Sequence, residues 1–308
     1  MINLPSVFEA GHIPTQKITL PSLEEKNIRL LIKRLDMVHP VISGNKFFKL
    51  KYNLQEAQRQ GHRTILTFGG AYSNHIQATA QASRLAGLKA IGIIRGERPQ
   101  QTNPTLTEAE DCGMLLHFIT REQYRHKKEP GFLEKLKDEF GEFFLIPEGG
   151  TNALAIAGTK EILTGKDFEA DIIACSVGTG GTVAGLIAAA QEQQEVWGFS
   201  ALKGNFMAEE VDELLLKENV DSRCSYRIFT GYHFGGYAKH TAELVEFIAT
   251  FNENLGIPLD PIYTGKMLFA VLEQCENLEN KTILCIHTGG LQGIEGFNKR
   301  FGTDLKSR

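Results

Sequence analysis

"RTILTFGGAYSNHIQATAQASRLAGLKAIGIIRG", Arg63 to Gly96, is the stretch whose reading decides the fold. Residues 63–70 form a short apolar run ending on two glycines, 74–87 place small and apolar residues at helical spacing before a glycine, and 89–96 form a second apolar run. Strands that are apolar throughout, joined by a helix, run parallel and are covered on both faces, because a helical crossover returns the chain to the same end of the sheet.

The same rhythm continues outward. Strand-like "LLHFIT" (115–120) and "EFFLIPEGG" (142–150) flank the helical "PGFLEKLKDEFG" (130–141). A second series holds "DIIACSVG", "EVWGFSAL", "YRIFTGY" and "KTILCIHTGG", with helical "TVAGLIAAAQ" after the first. Alternation of this kind predicts an α/β protein built from parallel sheets. The seam between the two series is expected near Gly149–Asn152.

Composition narrows the function classes. With 308 residues, 42% hydrophobic and 23% charged, the chain can bury a sizeable core in two lobes. A formal charge of -4 offers no basic field for nucleic acid, and no run of eighteen apolar residues exists to span a membrane. The opening "MINLPSVFEAGHIPTQKITL" lacks the basic and apolar blocks of a secretory signal, so a cytoplasmic protein is expected. Five scattered cysteines without a C-x-x-C pair read as reduced thiols, with no metal site.

Chemistry in such folds gathers where strands exit, and glycines cluster there. "SVGTGGTVAG" (176–185) lies between an apolar strand and an alanine-rich helix, so its free N–H groups and the helix start face an anion. Thr182 and Val183 follow Gly181, so the Lys-Ser/Thr end of a P-loop is missing. The glycine spacing is also wrong for a dinucleotide fingerprint, and "EVWGFSAL" ends without an acid for a ribose. A single phosphate remains, held by backbone amides of Gly178, Thr179, Gly180, Gly181 and Thr182, the two threonine hydroxyls assisting. In "VISGNKFFKLKYNL" (41–54), Lys46 stands directly behind Ser-Gly-Asn, whereas Lys49 and Lys51 read as solvated positions on an amphipathic helix. A phosphate cup plus an oddly placed lysine points to pyridoxal phosphate, whose aldehyde forms a Schiff base with lysine. The alternative for Lys46 is a snorkelling side chain over an apolar turn.

The chain resembles the D-cysteine desulfhydrase / 1-aminocyclopropane-1-carboxylate (ACC) deaminase family, of the tryptophan-synthase-β-like fold type II pyridoxal-phosphate enzymes. The matching segments are "SGNKFFKLKYNL", "GGAYSNHIQATAQASRLAGL", "EGGTNALAIAG", "VGTGGTVAGL", "DPIYTGK" and "IHTGG". The resemblance implies two domains with the active site between them: a large cofactor-binding domain from 1–50 and 151–308, and a small one, 51–150, inserted in it. It makes Lys46 the cofactor-bearing lysine and later the base for the α-proton, with Asn45 orienting its turn. Ser73, Asn74 and His75 hold the substrate carboxylate. Ser73 also acts as nucleophile or proton carrier, and Asn74 contacts the cofactor's ring hydroxyl. Tyr263 and Tyr237 lie over cofactor and substrate, Tyr232 being close enough in sequence to be confused with Tyr237. Thr264 occupies the position at which the deaminases carry a glutamate beside the pyridine nitrogen. A threonine offers a dipole and no counter-charge, which favours β-elimination from D-cysteine, to pyruvate, hydrogen sulfide and ammonia, over deamination of ACC. A homodimer is implied by the family alone. The stretch "ERPQQTNPTLTEAEDCG" (97–113) and the start of "LKGNFMAEEVDELL" depart from the family pattern, and such loops shape the pocket mouth, which sets the choice of substrate while the cofactor carries the chemistry. Two other classes stay open at this point: a non-catalytic binder of pyridoxal phosphate or a phosphate metabolite, and an oxidoreductase on a doubly wound sheet.

Overall fold

The computed structural model describes residues 7–101 and 103–307. Met1–Ser6, the head of the expected large domain, Thr102 within the divergent 97–113 stretch, and Arg308 lie outside the described residues.

Among the described residues, ten strands form two sheets. The larger has the order β1-β2-β10-β7-β8-β9, with β1 Thr15–Ile18, β2 Arg29–Arg34, β7 Ile172–Val177, β8 Glu195–Ser200, β9 Ser225–Phe229 and β10 Thr282–His287. The smaller has the order β5-β4-β3-β6, with β3 Thr64–Gly70, β4 Lys89–Arg95, β5 Met114–Ile119 and β6 Phe144–Ile146. Every pairing is parallel except that of edge strand β1 with β2. Every residue of β7 is buried, as a central parallel strand requires.

One expectation, the extent of a strand, is corrected. The strand at 142–150 is limited to Phe144–Ile146, because Pro147 has no N–H to extend the ladder and Gly149 and Gly150, at φ 67 and 69, turn the chain away. The domain border at residue 50 falls inside a continuous helix, α1, Asn45–Arg59.

Four further helices frame the site: α2 Asn74–Leu85, α3 Ala153–Thr159, α4 Gly181–Ala189 and α5 Thr264–Cys275. β3 feeds α2 and β7 feeds α4, both from carboxyl ends of strands. Close backbone approach locks α1 to α3 and α3 to α4. A Cβ at Gly158 would collide with the Phe48 carbonyl, and one at Gly185 with the Thr159 side chain. Among the described residues no helix is long and apolar enough to cross a membrane, and all five cysteines are free thiols.

Candidate active site

The turn before Lys46 is built by contact. Gly44 has φ 67, and a Cβ there would strike the carbonyl of Thr288. Asn45 N–H donates to that same carbonyl at 3.1 Å, which ties the start of α1 to the loop after β10. Lys46 Nζ donates to Asn45 Oδ1 at 3.0 Å, and Asn45 Nδ2 donates to Thr182 Oγ1 at 2.8 Å. Asn45 thus connects the lysine to the glycine loop. Burial lowers Lys46 from the usual lysine range to about 8, opposed by the nearby charge of Asp260.

Lys49 overturns its expected place in solvent. It is 2% exposed, and its Nζ donates to the Gly149 carbonyl at 2.8 Å, Thr151 Oγ1 at 3.0 Å and Thr179 Oγ1 at 3.4 Å. Burial first, then the charge of Lys46, pushes its pKa well down. The i, i+3 spacing from Lys46 was the available signal, since it puts both ammonium groups on one helix face. Lys51 lies elsewhere, paired with Glu161 at 2.6 Å.

The glycine loop meets these lysines. Gly180 is the N-cap of α4 with left-handed φ 79, and no side chain caps the helix. A Cβ at Gly181 would stand 3.0 Å from Lys49 Nζ, so the ammonium lies against the first turn. Thr151 and Thr179 hydroxyls are 2.6 Å apart beside it. Lys46, through Asn45, and Lys49 directly bring two buried amines to this loop, and the carboxylate whose charge acts on Lys46 is Asp260. An excess of buried positive charge is costly unless an anion joins it. A phosphate dianion at an uncapped helix start beside Lys49 supplies that anion, and the residues fit pyridoxal phosphate.

On the small-sheet side, Ser73 is the N-cap of α2 and its Oγ accepts from Ile76 N–H at 3.4 Å. Asn74 Nδ2 lies 3.0 Å from where a Cβ of Gly290 would be. His75 departs from its expected contact with substrate. It is buried, with Nε2 on Thr67 Oγ1 at 2.8 Å, and Thr67 gives its own proton to the Ile146 carbonyl. In that pair Nε2 is therefore the donor. Burial and the charges of Lys46 and Lys49 hold the imidazole neutral, well below its usual range.

Tyr237 and Tyr263 come together, rings 6.1 Å apart and inclined at 65°. Burial raises both phenols above their ordinary range, so both are neutral donors. Tyr237 is 40% exposed and follows Gly235 and Gly236, at φ 92 and 119. Lys266 Nζ pins that loop by donating to the carbonyls of His233 at 2.8 Å and Gly236 at 2.9 Å. Tyr232 takes no part, being bonded to Gln274 and Glu273.

Thr264 is also corrected. It is fully buried, and its hydroxyl donates to Asp260 Oδ1 at 2.8 Å and accepts from Asp260 N–H at 3.0 Å. That hydroxyl has no proton left for a ring nitrogen. Asp260 itself was passed over, although it opens the "DPIYTGK" segment.

A family model described as pyridoxal-phosphate dependent enzyme matches residues 8–289. The chain is 32% identical to the bifunctional D-cysteine desulfhydrase/1-aminocyclopropane-1-carboxylate deaminase, mitochondrial, of Arabidopsis thaliana, over 94% of this chain and 80% of that protein. It is 25% identical to a D-cysteine desulfhydrase of Klebsiella pneumoniae, covering 92% and 94%. Among solved structures, an ACC deaminase homologue superposes with a TM-score of 0.82 at 28% identity, covering 95% and 94%. An O-acetylserine dependent cystathionine β-synthase from Helicobacter pylori, at 15% identity and a TM-score of 0.67, shares the fold. Two parallel-dominated sheets flanked by helices are the fold type II architecture, and pyridoxal 5'-phosphate is the cofactor. The chain belongs to the family of pyridoxal-phosphate-dependent enzymes.

Proposed function

We propose that the protein catalyses α,β-elimination on a small amino acid, with D-cysteine as substrate and pyruvate, hydrogen sulfide and ammonia as products. The observation that carries this reading is Lys46, a buried amine brought down to about 8 at the head of α1, one helical turn from the ammonium that lies on the glycine loop. Such an amine can be uncharged near neutral pH, as a nucleophile and base must be. When bound, pyridoxal phosphate supplies the aldehyde for Lys46 and an electron sink for the substrate's α-carbon.

The residues divide the remaining work. Lys49, Thr179, Thr182 and the N–H groups of Gly178–Gly181 hold the phosphate. The start of α2, at Ser73 and Asn74, receives the substrate carboxylate, with His75 supporting that turn from behind. Lys46 takes the α-proton. Tyr237 and Tyr263, neutral and adjacent, offer a proton to the departing sulfur. One water is consumed overall as D-cysteine becomes pyruvate, hydrogen sulfide and ammonia.

A second reading, ACC deamination to 2-oxobutanoate and ammonia, is favoured by Asp260, a carboxylate beside the position of the deaminase glutamate. The D-cysteine reading keeps the absence of a glutamate at position 264 itself in its favour, with Asp260 acting on that position only through the Thr264 hydroxyl. Purified protein is expected to release pyruvate and sulfide from D-cysteine and to leave ACC essentially untouched. Efficient formation of 2-oxobutanoate would reverse the choice, and inertness toward both would remove the elimination reading.

We also infer a large unit from the flanking segments and a small one from the middle, supported by the membership of β3–β6 in a sheet of their own. The border belongs after α1 rather than at residue 50. A cytoplasmic homodimer is inferred from the family and the reduced cysteines, and light scattering of the purified protein tests the dimer.

A further inference from the structure

Asp260 is left without a task by the proposed function. It precedes α5 and is 2% exposed. Oδ2 accepts from the N–H groups of Ile262 and Tyr263 at 2.9 and 2.8 Å, and Oδ1 from Thr264 N–H at 2.9 Å and Thr264 Oγ1 at 2.8 Å. This pattern caps a helix start, which needs no burial. The carboxylate's location adds something a cap does not explain. A Cβ at Gly290 would lie 3.2 Å from Asp260 Cγ and 3.0 Å from Asn74 Nδ2, so one glycine separates the carboxylate from that amide. The same loop begins at Thr288, whose carbonyl receives Asn45 N–H. Asp260, Asn74 and the Lys46 turn therefore share the Thr288–Gly290 loop as a common wall. Burial pulls down both Lys46 and Lys266, and in each case the opposing pull comes from Asp260.

We propose that Asp260 is the counter-charge of the Lys46 pocket, a positioning residue that favours positive charge there through its field and through Thr264 without touching substrate. Thr264 then has a different meaning from the one its side chain suggests alone. A hydroxyl whose proton is given to a carboxylate is an acceptor backed by a full charge. Asp260 is the charged group that acts on Lys46, whereas the charge of Lys46 in turn lowers Lys49 on its own helix and His75 on α2.

This inference rests on Lys46 as the cofactor-bearing lysine, and its test needs no turnover. Pyridoxal phosphate is added to the cofactor-free full-length protein, and growth of the visible lysine-linked band is followed against pH. Only the uncharged amine attacks the aldehyde, so the rate rises through the dissociation of Lys46, with its midpoint near about 8. Asp260→Asn keeps the shape without the charge. Asp260→Ser also removes the charge while keeping an oxygen able to cap α5. In both, the midpoint is expected to fall by about one pH unit. Asp260→Glu is expected to leave it in place. A midpoint within about 0.2 unit of wild type in either folded uncharged variant overturns the proposal and leaves Asp260 as a helix cap. A wild-type protein that forms the band yet releases no product would remove the elimination reading and leave this midpoint intact.

Discussion

Each sheet feeds one strand directly into a helix at the site, β3 into α2 and β7 into α4, yet the two helix starts are finished differently. At α2 the chain supplies its own cap, Ser73, bonded to Ile76 N–H. At α4 the cap position is Gly180 in a left-handed conformation, without a side chain to accept the first N–H groups, and a buried ammonium stands beside them. A helix start must satisfy its free N–H groups somehow. The self-capped start is half closed and can serve a transient ligand such as a substrate carboxylate. The open start, with Lys49, is built for an anion that stays.

The largest expected effect comes from Lys46, which the open start serves. Lys46→Ala is expected to yield folded protein that binds the phosphate but forms no lysine-linked visible band, with turnover reduced by at least about 10²–10⁴-fold through loss of the base alone. Lys49 retains an amine three residues away, but it is held by Gly149, Thr151 and Thr179. A borohydride-fixed adduct mapped to Lys49 in this variant would show that the two lysines can exchange roles.

Next in size is Lys49 itself. Lys49→Met keeps the buried stem and removes the charge, and a charge-assisted hydrogen bond is worth about 1.5–3 kcal/mol. Cofactor affinity is accordingly expected to fall about 10–100-fold in a binding titration. Unchanged affinity would mean that the backbone N–H groups of α4 suffice without it.

Gly180→Asn probes the comparison more directly, because it makes the second helix start resemble the first. Asparagine tolerates the left-handed backbone better than other side chains, but its Cβ would stand 3.1 Å from Leu214 and 3.6 Å from Val211, so it crowds the loop that the phosphate needs undisturbed. Cofactor affinity is expected to drop about tenfold and the cofactor-free protein to lose about 1 kcal/mol of stability, read in a binding titration and a denaturant titration. Tighter cofactor binding would contradict the open-start reading.

The α/β class and the two sheets were legible because buried parallel strands carry continuous apolar runs, as β7 does. Edge strand β1 was not. Three of its four residues are exposed, so no apolar run marks it, and its pairing with β2 comes from tertiary context. The glycine loop and Lys46 were legible from unusual residues in unusual places. Lys49 and Asp260 were missed because each looks ordinary in sequence, a lysine on an amphipathic helix and an aspartate before a proline. Only the fold reveals that both are buried. Thr264 was misjudged for a related reason: the meaning of a hydroxyl depends on what takes its proton, and that partner lies four residues earlier.

The smallest effect sharpens the contrast between two lysines of one helix. Lys51, five residues beyond Lys46, pairs with Glu161 at 2.6 Å, and both partners keep solvent contact. A pair of this kind contributes about 0–1 kcal/mol, so Lys51→Met is expected to lower stability by no more than that in a denaturant titration. Cofactor affinity and turnover are expected to match wild type, because Lys51 does not approach the open start of α4. If Lys51→Met weakened cofactor binding as Lys49→Met does, α1 would be attracting the phosphate through its general positive field. The loss would then shrink as salt is raised, since screening acts on exposed charges much more than on a buried ammonium in contact with its ligand. Equal affinity at low and high salt in Lys51→Met, beside a salt-insensitive loss in Lys49→Met, would establish that burial and placement, rather than the charge of α1, separate the two lysines.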